Sequence, residues 1–274
     1  MLYKRVSANE LVVGAPAKIN LFLQVLNRRE DGYHNINSAF QAVSLFDRLR
    51  MCRTGRSDEF LLRLSDRSTV GADLPCDDSN LVLKACRLLR ARYDLPGGIA
   101  IELEKHIPVA AGLGGGSSDA AASLYAANVL YDLGLSRPEL ASLGLELGSD
   151  IPFFFGTGMA LVGGRGEQII ETQFPLDYWV VLVTPATGVA TGAAYAQLRR
   201  GLTNSKHPFS LPRCETVGEL VEALQFSEND FEEVHLLSST GHQRIKDGLL
   251  ECGARLARMS GSGSTVFGIF DSPP

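Results

Sequence analysis

The stretch that most limits what this chain can fold into is IPVAAGLGGGSSDAAASLYAANVLYDLGL, residues Ile107 to Leu135. In it Gly112, Gly114, Gly115 and Gly116 and the pair Ser117-Ser118 stand directly before an alanine-rich run. Glycine is a poor helix former and alanine the best, so loop gives way to helix here within a few residues. The alternating segment GIAIELEKHIP ahead of it reads as a strand. Strand, glycine loop and helix in that order set exposed amides at a helix N-terminus, where unpaired N–H groups and partial positive charge hold anions. Glycine lets a ligand approach the backbone closely, and the two hydroxyls add donors, so the loop is suited to wrapping phosphate. It is not of the Walker type, because no Lys-Ser/Thr follows the glycines. Nor is it of the dinucleotide type, because Ser117 stands where the last glycine of G-x-G-x-x-G belongs. A flexible turn with Ser117 or Ser118 as helix N-cap accounts for the same letters, and Asp119 in the first turn then complements the helix dipole.

The remaining segments mix helical and strand periods throughout. Leu11 to Val25 reads as a strand interrupted by Pro16, and its alternation puts Lys18 and Asn20 on one face. Asp31-Gly32 signals a turn, after which INSAFQAVSLFDRLRM returns as a strand. The stretch TGRSDEFLLRLSDRSTVGADLPCDDSN reads as loop with an edge strand, and SNLVLKACRLLRARYDL as a helix. Two more helices are expected, from about Ser118 to Leu133 and from Pro138 to Leu147, ended by Gly134 and Gly148. Beyond Arg165-Gly166-Glu167 come a buried strand in DYWVVLVTPA, helices in VGELVEALQ and HQRIKDGLLECG, and a closing strand in STVFGIF. The fold class that follows is α+β, with two domains, 1–165 and 166–274.

Composition narrows the function. Hydrophobic residues make up 45% of the 274 and charged residues 21%, enough apolar material for packed cores. A net charge of -5 with no long Lys/Arg cluster gives no electrostatic footprint for nucleic acid. No run reaches the ~18 apolar residues of a membrane span, and MLYKRVSANELVVG lacks the apolar centre of a secretory signal. The expected compartment is therefore the cytoplasm. The five cysteines are odd in number, widely spaced and without a C-x-x-C pair, which suits reduced thiols rather than a disulfide framework or zinc site.

The run PVAAGLGGGSSDAA resembles the phosphate loop of the GHMP kinases, the superfamily of galactokinase, homoserine kinase and mevalonate kinase. Further segments fall in matching order from Ala15 to Phe270: PAKINLFLQVLNRREDGYHNI, DSNLVLKA, LGSDIPFFFGTGMALVGGRGE, NDFE and MSGSGSTVFGIF. Together they resemble the branch of that family whose substrate is a cytidylylated methylerythritol, on the methylerythritol phosphate route to isoprenoids. The resemblance implies an N-terminal ATP-binding domain, a C-terminal domain and an active-site cleft between them. It also implies phosphoryl transfer from ATP, with Mg2+, to the substrate's 2-hydroxyl.

By the same resemblance, ATP is bound by Lys105, Pro108, Gly112, Leu113, Gly114, Gly115, Gly116, Ser117 and Ser118, with Asn80, Leu81 and Lys105 near the adenine. Asp150 is the base for the hydroxyl proton, and Lys18 orients it and lowers the hydroxyl's pKa. Asn20 and Thr191 contact the substrate, Tyr33 stacks on the cytosine, and His34 hydrogen-bonds its edge. Gly261 to Ser264 form a second glycine-serine loop facing the cleft. Magnesium ligands stay unassigned, with Ser117, Ser118 and Asp119 as candidates. The expected partner is a small-molecule substrate, with no nucleic acid and no membrane, and the expected assembly is a monomer or weak homodimer.

Plainer roles fit the same residues. Asp150 before Ile151-Pro152 caps a turn, Lys18 and Asn20 are outward-facing strand residues, Asn80 caps a helix, Tyr33-His34 is an exposed hairpin tip, and Gly261–Ser264 is a tight turn. Val109-Ala110-Ala111 departs from the family's glycine-containing lead-in, and TGAAY from a TAEVY-like segment. Two other functions stay open: a GHMP kinase for a different small alcohol, and a catalytically inactive nucleotide-binding protein on the same fold.

Overall fold

A computed structural model describes residues 2–55, 59–71, 73–93, 95–172, 177–185, 194–195, 198, 208–233 and 241–274. In chain order the elements are β1 (Leu2–Ser7), β2 (Glu10–Arg28), β3 (His34–Thr54), β4 (Phe60–Leu64), α1 (Leu81–Tyr93), β5 (Gly98–Glu104), α2 (Gly115–Leu130) and α3 (Arg137–Leu147). A 3-10 helix (Ile151–Phe155) follows, then β6 (Met159–Gly163), β7 (Gln168–Glu171), β8 (Trp179–Val183), α4 (Val217–Gln225), α5 (His242–Glu251), β9 (Leu256–Met259) and β10 (Val266–Phe270). They form two compact units that interleave along the chain. One comprises residues 1–17, 44–109 and 114–156, the other 18–43, 110–113 and 157–274. The long strands β2 and β3 each contribute residues to both.

β2 runs unbroken through Pro16, where the sequence suggested an interruption. Among the described residues its ladder with β1 ends at the Leu2–Gly14 pair, so Pro16 lies beyond it and its missing N–H deprives β1 of no bond. Burial alternates from Glu10 to Ala17 and is then continuous to Leu23. Lys18 and Asn20 are consequently 4% and 2% exposed, inside the protein and not on an outward face.

In the first unit the second half of β3 pairs antiparallel with β5, which pairs parallel with β4. Helices α1, α2 and α3 pack on one another. α2 is buried all round, and Ala120, Ala121, Ala122, Ala126 and Ala127 are wholly enclosed. The small side chains let its neighbours close in on every side. This helix begins at Gly115, three residues before the expected Ser118, because Gly115 packs against the chain ahead of the loop. A Cβ there would lie 2.9 Å from both Ile107 Cγ2 and Lys105 Nζ. It ends at Leu130, short of Leu133, since Asp132 already takes a left-handed φ of 53°. α3 starts with the Ser136–Glu139 capping box and ends at Gly148 as the sequence suggests.

In the second unit the first half of β3 pairs with β6, and β6 with β7, all antiparallel. A separate sheet has the order β8-β10-β9, with α5 packed on β9 and β10. β8 is an edge strand, which corrects the expectation of a buried one: none of its residues is buried, and Trp179 is 53% exposed.

This unit is held by a buried arginine. Arg258 on β9 donates from Nη1 to Leu21 O at 2.7 Å and Ser227 Oγ at 3.1 Å, and from Nη2 to Leu224 O at 2.9 Å and Ser227 O at 2.7 Å. Leu224 lies in the last turn of α4, so the cation also meets the negative end of that helix. The NDFE segment adds four more hydrogen bonds. Asp230 Oδ2 accepts from Val25 N, Asn229 Nδ2 donates to Met259 O and Gly261 O, and Glu232 Oε1 accepts from Met259 N. Replacing Arg258 with Met leaves its buried acceptors unpaired and is expected to cost roughly 3 kcal/mol, read as a lower urea midpoint. An unchanged midpoint would refute the clamp.

Candidate active site

The glycine loop alternates in handedness. Ala110, Gly112 and Gly114 have φ of 53°, 78° and 68°. Alternate left-handed residues turn successive amides to one side, which is the geometry of an anion-binding nest. Gly114 is the N-cap of α2 and supplies no side-chain cap, so the reading of Ser117 or Ser118 as N-cap is replaced. Among the described residues no acceptor within the protein meets the amides of Gly114, Gly115, Gly116 and Ser117. The carbonyls on the other side are claimed: Ala111 O by Thr265 N, Gly112 O by Ser260 Oγ and Leu113 O by Lys18 N, at 3.2, 2.9 and 2.9 Å.

Gly112 is required by contact as well as by φ. A Cβ there would sit 2.1 Å from Ser260 O. The sequence Gly261–Ser264, expected to face a ligand, is buried throughout and supports this loop from within its own unit. Gly261, at φ 58°, passes so close that its Cβ would be 3.0 Å from Gly112 O.

Lys18 and Asn20 join the same network. Lys18 Nζ donates to Asn20 Oδ1 at 2.6 Å and lies 4.6 Å from the centre of the Phe40 ring. Asn20 donates from Nδ2 to Ser38 Oγ at 2.9 Å and from its main chain to Ser260 Oγ at 3.1 Å. Ser38 and Ser260 are positioning residues that the sequence reading did not single out.

Below the first turn of α2 lies a buried charge cluster. Lys105 Nζ pairs with Asp47 Oδ2 and, at 2.8 Å, with Asp119 Oδ2, and all three side chains are nearly inaccessible. The ammonium expected near the adenine is therefore committed to two carboxylates. Because the helix starts early, Asp119 lies past its first turn and meets Lys105 instead of serving the dipole alone. Asp47 also accepts from His106 N and Ile107 N, whereas Asp119 Oδ1 has no partner. One cation faces two anions, and the less satisfied carboxyl takes the proton. Burial, against the pull of Lys105, pushes Asp119 up to about 7. For Lys105 burial acts downward, but Asp119 and Asp47 outweigh it and raise its pKa.

Asp150 sits at the N-cap position of the 3-10 helix, half-buried, but its carboxylate makes no capping bond to that helix. Asn80 does behave as a cap. Its Oδ1 accepts from Val82 N at 2.9 Å and its Nδ2 donates to Pro75 O at 2.7 Å. Leu81, the next residue, has its Cδ1 3.8 Å from where a Cβ on Gly116 would be, so the start of α1 adjoins the start of α2. Pro108 is half-buried just ahead of the loop.

Tyr33 is 53% exposed after the left-handed Gly32, and Arg165 Cζ lies 5.0 Å from its ring centre. His34 stacks on Tyr195 with ring centres 5.0 Å apart, a partner the sequence reading missed within TGAAY. Burial, aided by Arg28, lowers the His34 pKa, which keeps the imidazole neutral with one donor and one acceptor. Thr191 lies outside the described residues.

Profiles of known families match two stretches of the chain. The GHMP kinases N terminal domain matches residues 80–158 and the GHMP kinases C terminal domain residues 210–274. The 4-diphosphocytidyl-2-C-methyl-D-erythritol kinase of Listeria monocytogenes serotype 4b is 41% identical over 95% of this chain and 87% of its own. The chain belongs to the GHMP kinase family. The kinase is also similar to the 4-diphosphocytidyl-2-C-methyl-D-erythritol kinase of Bacillus mycoides, at 40% identity over 95% of this chain and 88% of that one. A crystal structure of 4-(cytidine 5'-diphospho)-2C-methyl-D-erythritol kinase superposes with a TM-score of 0.75 at 33% identity, over 96% of this chain and 91% of the other. The mevalonate kinase of L. major, crystallised with R-mevalonate, shares the fold with a TM-score of 0.69 at 15% identity, over 99% of this chain and 90% of the other. Membership makes the protein a phosphotransferase acting on an alcohol of a small-molecule substrate, with ATP as co-substrate.

The buried cluster sets a pH dependence of stability. With its folded pKa raised to about 7 from 3.8, Asp119 binds a proton more readily folded than unfolded, so its contribution falls as pH rises through 7. Unfolding free energy is expected to drop by about 1 kcal/mol between pH 6 and 8, and Asp119→Asn to abolish that drop. Denaturant titrations at the two pH values measure it, and equal slopes in both proteins would refute the assignment.

Proposed function

We propose that this kinase transfers the γ-phosphoryl group of ATP to the 2-hydroxyl of 4-diphosphocytidyl-2-C-methyl-D-erythritol, a step of the methylerythritol phosphate route to isoprenoid precursors. The observation that carries the reading is the run of unclaimed amides at the start of α2, in a chain 41% identical to a kinase named for that substrate. Homoserine and mevalonate kinases resemble it at only 15–18% identity, which speaks for shared fold and not for their substrates.

Phosphoryl transfer needs little covalent help from the protein. It needs charge stabilisation and an aligned acceptor. In this reading Gly112 to Ser118 hold the triphosphate, with Pro108, Asn80 and Leu81 lining the way to the adenine. Lys105 acts from below, through the cluster that fixes the first turn of α2. Asp150 takes the proton of the acceptor hydroxyl, and Lys18, held by Asn20, stabilises the oxygen as it becomes negative. Tyr33 offers a flat face to the cytosine. Neutral His34 presents a donor and an acceptor to the base's edge, so base choice comes from the histidine and affinity from the stack.

Magnesium fits as a companion of the triphosphate, since Mg2+ usually takes few protein ligands beside phosphate oxygens. Ser118 Oγ and Asp119 Oδ1 are buried oxygens without partners, with Asp119 the weaker candidate because its other oxygen faces Lys105. Ser118 and, more weakly, Asp119 would hold such an ion, which would supply neutralisation of charge on the phosphoryl group. We further assign nucleotide binding to residues 1–165 and the rest of the architecture to 166–274, place the kinase in the cytoplasm, and expect a monomer or weak homodimer. No helix among the described residues is long and apolar enough to cross a membrane.

Two variants test the roles separately. Asp150→Asn is expected to lower kcat by at least about 100-fold in an ADP-release assay with the cytidylyl substrate, and full retention of kcat removes Asp150 as the base. Tyr33→Ala is expected to raise KM for that substrate by roughly tenfold, with KM for ATP moved less than about twofold. Unchanged substrate KM disposes of the stack.

A further inference from the structure

We propose that Arg165 is an additional substrate-binding residue: its guanidinium braces one face of Tyr33 and binds the diphosphate of the cytidylyl substrate stacked on the other. The proposal rests on the cytidylyl reading of the Tyr33–His34 site and adds to it the group that reads the substrate's charge.

The guanidinium stands 5.0 Å from the Tyr33 ring centre, a cation–π contact on a ring that is still half exposed. One face of the phenol is thereby covered and the ring's tilt fixed, which leaves the other for a flat base. Arginine's donors lie in the plane of the guanidinium and reach past the edge of any ring it stacks on. A nucleotide whose base lies on the open face carries its phosphates past the ring's edge, within the reach such donors have.

The guanidinium of Arg165 forms no ion pair among the described residues, although Asp31 lies close enough to feel its charge. The carboxylates around it are engaged elsewhere. Asp31 is bound by Arg29 Nε at 3.0 Å and accepts from Tyr33 N at 3.1 Å. Glu167 accepts the main-chain N–H of Arg165 at 2.6 Å and lies 4.0 Å from Arg29 Nη1, tucked under the left-handed Gly164. Among the described residues no carboxylate comes within ion-pair distance of the Arg165 guanidinium. The backbone is fixed where this side chain departs, since Ile36 N donates to Gly164 O at 2.7 Å and Gly166 N to Gly163 O at 3.0 Å. A half-buried arginine on a fixed turn, stacked and not ion-paired among the described residues, is equipped for a bidentate bond to phosphate.

The test compares cytidine with CDP as competitive inhibitors against the cytidylyl substrate, in wild type, Arg165→Gln and Arg165→Lys. Arg165→Gln is expected to weaken CDP by about tenfold or more while cytidine changes by less than about twofold, which also shows that the base site stays folded. Arg165→Lys should recover part of the CDP affinity, because charge returns without the planar fork. A CDP-to-cytidine ratio unchanged in Arg165→Gln overturns the proposal, whether both inhibitors hold or both weaken together. If wild type binds CDP normally, only the proposal falls. If wild type neither binds CDP nor turns over the cytidylyl substrate, the functional reading falls and takes the proposal with it.

Discussion

Three consecutive carbonyls, those of Ala111, Gly112 and Leu113, are bound by Thr265 N, Ser260 Oγ and Lys18 N, and this decides what the next residues can do. The carbonyls are held, while the amides of Gly114 to Ser117 that follow meet no acceptor among the described residues. Each bond is worth only about 1 kcal/mol net, so their value lies in direction more than in stability. A free loop would lose conformational entropy on closing around a phosphate, and a loop already held in place loses less. The price appears locally: Ala110 is left-handed without being glycine, a strain of about 1–2 kcal/mol, in the segment where the family more usually has glycine.

The charge cluster beneath α2 serves the same end by another route. Lys105 and Asp119 link the chain before the loop to the helix after it, and Asp47 ties both to β3 while accepting from His106 N and Ile107 N. Burying one ammonium with two carboxylates is costly unless a proton is shared, and Asp119 is drawn toward neutral pH. The closeness of Gly115 to Lys105 Nζ shows how little room is left around the cation. The result is a helix start fixed at both ends of the loop, one by hydrogen bonds to carbonyls and the other by charge.

Local periodicity made much of this legible. α1, α3, α4, α5 and the pairing of β2 with β3 around Asp31-Gly32 follow from spacing, caps and turn residues. What escaped depended on contacts distant in sequence. The strand through Pro16 depends on where β1 stops, the early start of α2 on Ile107 and Lys105, and the exposure of β8 on its place at a sheet edge. At the site, Lys18, Asn20, Asp150 and the glycine loop were readable as letters. Their supports Ser38, Asp47, Ser260 and Tyr195 were not, because serine in a strand or a lone aspartate in SLFDRL carries no local signal of burial. Asp47 is wholly buried, and an acidic residue within an apolar strand was the one hint available. The plainer readings fared unevenly. Asn80 is a cap, whereas Asp150 occupies a cap position without capping and Lys18 and Asn20 are interior.

A chain of net charge -5 that binds polyanions cannot draw on a favourable overall field and has to supply attraction locally. At the loop it does so with neutral groups: oriented amides keep their dipoles at any pH and need no counter-ion. The lysine nearest them is already balanced by Asp47 and Asp119, so it lends rigidity without lending net positive charge. Around Tyr33 the means are different, since Arg165 is a full charge that forms no ion pair with a carboxylate among the described residues. A dipolar cradle suits a phosphate chain that has to be released as ADP after each turnover, because its grip is spread over many weak donors. A stacked arginine suits the other substrate, whose diphosphate is a fixed marker of identity and takes no part in the reaction. On the proposed assignment, affinity for the nucleotide and recognition of the acceptor rest on separate electrostatic devices.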